Sequence, residues 1–487
     1  MTGQERAIRS VAVFLCVLFL ALFVQLNYLQ VVHSESLAND SRNTRTIERN
    51  FKRDRGDIVS SDGVVLAYSE SVDDDFGRQR IYPPETAELF AHIVGFFSFT
   101  YGADGLERQY DDDLAEHSRP LDVAHIDDVV RAEPLTHTLH LTLSVQLQQA
   151  ARDALGDRKG SIVALDPSTG AILAMWSYPT YNPNDLASHN LTTVTSTWDR
   201  LQADSDRPML GRSYRELYPP GSTFKVVTAS AGFTAEKVRR SYPVLRQLEL
   251  PDTDKPLGNF GGKACGGTFA ASFRVSCNTT FAQLGLDLGA EDFVATTHSF
   301  GFDTKTALDL PATAQSRAGS VETFTKDKPA LAQSAIGQRE VVATPLQMAL
   351  VAAAVANGGA VMRPYVVAEI DDSDGNVVHT TKPKIEREAI SAATADTVKG
   401  LMVDAVARGT GTRAAISGTT VAGKTGTAQT GTGLVHTWMI GFAPAEDPQV
   451  AVAVIVESQQ ATDDITGGAI AAPILKQMIQ AALGSAS

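Results

Sequence analysis

Val11 to Val24 is unbroken apolar sequence, and the pattern continues through Leu26, Tyr28, Leu29, Val31 and Val32 around Gln25, Asn27 and Gln30. Crossing a bilayer takes about 20 mostly apolar residues. The run reaches that length over 11–32 if its polar residues lie at headgroup level, where the Tyr28 ring is also accommodated. It predicts an uncleaved signal anchor over 11–32 behind a short cytoplasmic tail, 1–10. The competing reading, a cleaved signal peptide, lacks a small-x-small site at the end of the stretch, and Gln25 to Gln30 is bulky where a peptidase wants small residues. Arg6 and Arg9 precede the segment while Arg42, Arg45, Arg49, Lys52, Arg53 and Arg55 follow it, so charge counting leaves orientation open.

From about Ser34 to Leu139 the chain is charged, with short strand-like pieces such as Ile58 to Tyr68 divided by Asp and Gly turn signals. This predicts a modest accessory domain over 33–140. A larger domain, 141–487, begins where Leu143 to Leu155 takes up helical spacing. Gly160 to Leu165 and Ala171 to Trp176 flank Asp166-Pro167-Ser168-Thr169-Gly170 and predict a hairpin. Two more strands are expected at His436 to Phe442 and Val450 to Val456, then a helix from about Ala469 to Leu483. The economical fold is α+β, an antiparallel sheet assembled from both ends of the larger domain with helices between and around its strands.

Composition narrows the function. A chain of 487 residues with 43% hydrophobic and 20% charged side chains has room for two or three ordinary folded units. Lys and Arg number 42 against 56 Asp and Glu, a net charge of -14, which is the wrong sign for a general nucleic-acid binder. Three cysteines, Cys16, Cys265 and Cys277, are too few for a disulfide scaffold and lack the paired spacing of a zinc site. For Cys265 and Cys277 a bridge and two small buried thiols both remain open, because sequence does not show geometry.

Three stretches carry candidate chemistry. In Tyr218-Pro219-Pro220-Gly221-Ser222-Thr223-Phe224-Lys225 the Pro-Pro-Gly stop predicts a helix opening at Ser222. Residues three apart share a helix face, so the Lys225 amine can reach the Ser222 hydroxyl, and a desolvated lysine can serve as its base. Ser-x-x-Lys alone is nonetheless frequent, and serine is a common helix cap. Ser276-Cys277-Asn278 again precedes a helical run, Thr280 to Leu288, and supplies a hydroxyl for proton relay and an amide able to donate and accept. Ser188-His189-Asn190 has the same form but lies ahead of Ser222 in an Asn- and Pro-rich stretch that reads as a turn.

The third stretch is Lys424-Thr425-Gly426-Thr427, glycine-flanked as a strand approached closely by ligand would be. Lys424 offers charge, the Thr425 and Thr427 hydroxyls can bind a carboxylate, and a backbone N–H can face a carbonyl under attack. Gly418 to Thr425 also matches the bare phosphate-loop pattern. That loop needs a helix starting at Thr425, whereas Gly426, Gly431 and Gly433 follow without helical periodicity. His436 and Trp438, on the neighbouring expected strand, read as packing residues.

The order Ser-x-x-Lys, Ser-x-Asn, Lys-Thr-Gly is that of penicillin-binding proteins and class A β-lactamases. With Arg55-Gly56-Asp57-Ile58, Gly105-Leu106-Glu107, Gly160 to Pro167 and Ala343-Thr344-Pro345-Leu346-Gln347-Met348-Ala349, the chain resembles class B penicillin-binding proteins over nearly its whole length, and most of all the shorter actinobacterial members. The resemblance implies a transpeptidase domain of the serine β-lactamase type on an N-terminal pedestal. It implies Ser222 as nucleophile, Lys225 as base, Ser276 and Lys424 as proton shuttle, and Asn278 orienting the acyl chain. Thr425, Gly426 and Thr427 would hold substrate, with the backbone N–H groups of Ser222 and Thr427 as oxyanion hole. The implied substrates are peptidoglycan stem peptides outside the membrane, which puts the catalytic body there. β-Lactams would inhibit it, a lipid-linked glycan polymerase is the implied partner, and no metal or organic cofactor is called for. D,D-carboxypeptidase activity differs only in water replacing the acceptor amine; a membrane β-lactam sensor would want a larger cytoplasmic portion.

Overall fold

The structure is a computed structural model that describes residues 3–31, 51–115, 136–431, 433–460 and 465–485. It divides into two compact units, residues 1–54 with 71–79, and residues 55–70 with 80–487. In the first, a helix Gly3–Val31 covers the expected anchor. Val11, Phe14, Phe19 and Phe23 along it are exposed. Among the described residues no helix is long and apolar enough to cross a membrane.

The second unit is built on a five-stranded sheet of β1 (Gly160–Leu165), β2 (Ile172–Tyr178), β3 (Ala422–Gln429), β4 (Leu434–Ala443) and β5 (Val450–Gln460) in the order β3-β4-β5-β1-β2. Every neighbouring pair is antiparallel. Sequence distant by some 290 residues meets where Val454 pairs with Ile162, so the α+β reading of a sheet assembled from both ends holds. β5 is buried continuously from Val450 to Glu457, which requires cover on both faces. Helix α1 (Val145–Leu155) packs with the C-terminal α6 (Ala471–Ser485) on one face, and α4 (Pro345–Ala356) lies on the other with α2 (Lys225–Thr234), α3 (Asn278–Ser299) and α5 (Ala392–Arg408) beyond it. α4 has no polar stripe because eleven of its residues, Pro345 to Val355, are buried. β3 is left as an edge strand, its outer backbone groups open to a ligand.

The accessory region does not stand apart from this body. Ile58–Val59 pairs antiparallel with the strand after it and parallel with Thr138–Leu141. Thr138–Leu141 in turn pairs with Val367–Asp371, and that with Val377–Thr380. The boundary expected after residue 140 therefore falls inside a strand of a sheet that residues from the catalytic half complete. Beneath it lies a fully buried carboxylate, Glu107, held by Arg55 Nε at 2.5 Å and Arg80 Nε at 2.7 Å. The two guanidinium groups hold its carboxyl below the usual range against the opposing effect of burial, the largest single influence.

Candidate active site

The segment that carries Ser222 is pinned before its helix begins. Tyr218 exchanges backbone hydrogen bonds with Ala343, Tyr218 N–H to Ala343 O at 3.0 Å and the reverse at 2.8 Å, and Thr344 caps α4 immediately after. The buried Trp438 donates its indole N–H to Pro219 O at 3.1 Å. The Tyr218 hydroxyl donates to Glu457 Oε1 at 2.6 Å, and Glu457 also takes Arg212 Nε at 2.9 Å. Arg212 is fully buried, so this is an ion pair out of water that closes β5 onto the nucleophile loop. Sequence reading missed all three of these residues as a group; Arg212 and Glu457 are 245 positions apart and no local pattern joins them. His436 packs edge-on against the Tyr218 ring at 5.4 Å, in line with the packing role expected of it and of Trp438.

Gly221 follows with φ +53°, and a Cβ there would meet Thr427 O at 2.8 Å. Only glycine permits that conformation and that approach at little cost. Ser222 then lies in a 3-10 turn, Gly221–Phe224, and Lys225 is the first residue of α2, so the expected single helix opens one tighter turn early. Residues three apart eclipse in a 3-10 turn. The Lys225 amine accordingly lies 3.0 Å from Ser222 Oγ.

Lys225 is the hub of the site. Its amine also reaches Ser276 O at 2.8 Å, Ser276 Oγ at 3.3 Å and Asn278 Oδ1 at 2.7 Å. Its side chain is fully buried and lies 5.4 Å from the centre of the Phe281 ring. Burial first, and the nearby charge of Lys424 second, push the ammonium well below the ordinary lysine value. The shift favours the neutral amine, the form that can accept the Ser222 proton. On the other side of Ser276, Lys424 Nζ lies 2.8 Å from Ser276 Oγ and 3.0 Å from Thr425 O. Burial pushes Lys424 down to about 7.

Ser276 sits at φ +60°, a left-handed conformation that costs a serine on the order of 1 kcal/mol. Its neighbours fix it there. Ser276 N–H bonds Phe273 O at 3.0 Å and Cys277 N–H bonds Ser272 O at 2.8 Å at the end of the short helix Phe269–Arg274. Cys277 is bridged to Cys265, which resolves the two readings left open by sequence. Asn278 starts α3, and its Nδ2 donates to Gly258 O at 3.1 Å. Asn259, a residue with no sequence signal, accepts Thr279 N–H at 3.0 Å and ties the Cys265 segment to the head of α3. The similar Ser188-His189-Asn190 is a helix start, with Asn190 capping Leu191–Ala203.

Lys424 to Thr427 lies in β3 rather than ahead of a helix, so the phosphate-loop pattern is accidental. Gly426 pairs with Trp438, and a Cβ on it would meet Pro220 O and Thr223 Cγ2 at 2.9 Å, so the strand closes directly onto the Ser222 loop. In a strand the N–H and C=O of one residue point to the same side. The approach of Thr427 O to Gly221 therefore puts the Thr427 N–H on the same edge of the strand, the side that faces the Ser222 loop. The Thr425 hydroxyl shares a hydrogen with Thr410 Oγ1 at 2.6 Å, and Thr427 Oγ1 accepts Gly467 N–H at 3.3 Å. Thus Ser222, Lys225, Ser276, Asn278 and Lys424 converge on one cluster, and Thr425 to Thr427 form its open wall.

Known proteins resemble this chain in sequence and fold. The penicillin binding protein transpeptidase domain family matches residues 160–480, and the penicillin binding protein A dimerisation domain family matches 55–135. The chain is 41% identical over 99% of its length, and 100% of the relative's, to peptidoglycan D,D-transpeptidase PbpA of Mycolicibacterium smegmatis. It is 38% identical, over 99% of both chains, to the PbpA of Mycobacterium tuberculosis. Among solved structures, penicillin-binding protein A from M. tuberculosis as its ceftriaxone acyl-enzyme complex superposes with a TM-score of 0.82 at 37% identity, covering 90% of this chain and all of that one. Its penicillin G acyl-enzyme complex gives 0.81 at 38% identity, covering 88% of this chain and all of that one. The chain belongs to the penicillin-binding protein transpeptidase family, in its class B group.

Proposed function

We propose that the chain is a serine-type peptidoglycan D,D-transpeptidase acting through an acyl-enzyme on Ser222. The observation that carries this reading is the buried Lys225 amine at 3.0 Å from Ser222 Oγ, with Lys424 bound to the far side of Ser276 Oγ at 2.8 Å. Ser222 Oγ attacks the carbonyl between two terminal D-Ala residues while its proton passes to Lys225 Nζ. The new C–O bond forms as the C–N bond breaks, and the proton travels by Ser276 Oγ to the departing D-Ala amine. The oxyanion is held by the Ser222 and Thr427 N–H groups, and Asn278 orients the acyl chain. An amine of a neighbouring stem peptide then attacks the ester and releases Ser222. β-Lactams imitate the donor, in keeping with the acyl-enzyme complexes of the M. tuberculosis relative. Intact-mass measurement after incubation with penicillin G is expected to show one stoichiometric adduct on the wild type and none on Ser222→Ala. An adduct surviving on the variant would refute the assignment. Incubation with a stem-peptide donor and an amine then separates cross-linking from carboxypeptidase trimming.

The same reading makes the segment 11–32 a single membrane anchor, with residues 1–10 inside and the catalytic body outside. Its support is the row of exposed apolar side chains from Val11 to Val24, which has no favourable place in water. The helix that carries it has 29 residues, about 43 Å at 1.5 Å per residue, against a hydrocarbon core of about 30 Å. A lipid-linked glycan polymerase, itself membrane-bound, is the partner this placement suits. The full chain is expected in the membrane pellet after alkaline carbonate extraction, and deletion of residues 1–32 should release it; a full-length chain found in the supernatant would overturn the anchor.

A further inference from the structure

We propose that Thr410 is a positioning residue for the carboxylate end of the donor, acting through the Thr425 hydroxyl. This rests on the transpeptidase reading and goes beyond the three motifs that define it. A carboxylate only accepts hydrogen bonds, so the wall that holds it must present donors. Thr427 Oγ1 already accepts Gly467 N–H at 3.3 Å, which leaves its single hydrogen for a ligand. Thr425 is different. Its hydroxyl is 2.6 Å from Thr410 Oγ1, and either oxygen can be the donor. If Thr425 donates to Thr410, its hydrogen is spent and an acceptor faces the carboxylate. If Thr410 donates to Thr425, the Thr425 hydrogen is released toward the ligand and polarised by the bond behind it. An anion at the wall selects the second state.

The fold holds Thr410 for this. It follows α5 in Gly409-Thr410-Gly411, its N–H bonds Arg274 O at 3.3 Å, and Arg274 is itself tied to Asp404 of α5 at 2.6 Å. Its carbonyl abuts Gly468, where a Cβ would collide at 2.3 Å. The pinned backbone holds the Thr410 hydroxyl at its 2.6 Å from Thr425 Oγ1.

The test compares Thr410→Val, which keeps the shape and removes the hydroxyl, with Thr410→Ser, which keeps it. The second-order rate of acylation is measured with penicillin G and with its methyl ester. For the free acid a loss of about 10-fold is expected in Thr410→Val, the worth of one charge-assisted hydrogen bond, with recovery in Thr410→Ser. For the ester the loss is expected to be much smaller, so the acid-to-ester preference falls. An equal loss with both substrates would make Thr410 mere scaffolding, and an unchanged rate with the acid would remove it from the site; either result overturns the inference. A wild type that forms no adduct at all would instead sink the transpeptidase reading, and this inference with it.

Discussion

Lys225→Met is expected to suppress acylation of Ser222 by penicillin by about 10³–10⁴-fold, the upper range of what a general base contributes. Methionine fills nearly the same buried space but cannot take the hydroxyl proton. The hydrogen bonds to Ser276 and Asn278 go with it, so the relay loses its centre as well as its base. The wild-type pH profile follows from the two lysines. Lys225 must be neutral to act as base, and burial with the nearby Lys424 charge pushes its pKa down from the usual lysine value, so its limb is a rate that rises with pH. Lys424 serves as a cation, and its value of about 7 means that its charge, and the rate with it, fall as pH climbs through that point. The two amines share Ser276, so the limbs belong to the pair. A bell with its falling limb close to neutral is expected from stopped-flow acylation. A rate that does not fall between about pH 6 and 9 would contradict the Lys424 assignment.

Glu457→Ala is expected to destabilise the catalytic body by about 3–5 kcal/mol, the usual result of leaving a buried charge without its partner. Arg212 would keep backbone acceptors at Asp206 and Arg207 but no counter-charge at β5, and the Tyr218 hydroxyl would lose its acceptor. Denaturant unfolding measures the loss directly. Glu457→Gln, which can still accept from Tyr218, is expected to lose less. A change below about 1 kcal/mol in the alanine variant would mean that the pair is as solvated as a surface bridge.

What could be read beforehand followed locality. Ser222 with Lys225 is a three-residue spacing, and the hairpin of β1 and β2 is declared by Asp166-Pro167-Ser168-Thr169-Gly170; both are written in adjacent residues. The convergence of Ser276 and Lys424, 148 positions apart, became legible only through the order of three motifs shared with a family. Thr410, Asn259 and the Arg212–Tyr218–Glu457 group carry no such mark. Their identity is ordinary and their importance comes from tertiary partners. The Ser276 conformation was also hidden, since serine is rare at positive φ and nothing local asks for it.

The sheet that runs from Ile58–Val59 through Thr138–Leu141 to Val367–Asp371 has a practical corollary. A recombinant fragment cut at the apparent border near residue 140 would leave Val367–Asp371 with a bare edge, an invitation to self-association. Pedestal and enzyme cannot be traded between relatives as cassettes joined end to end, because the seam between them is woven from both.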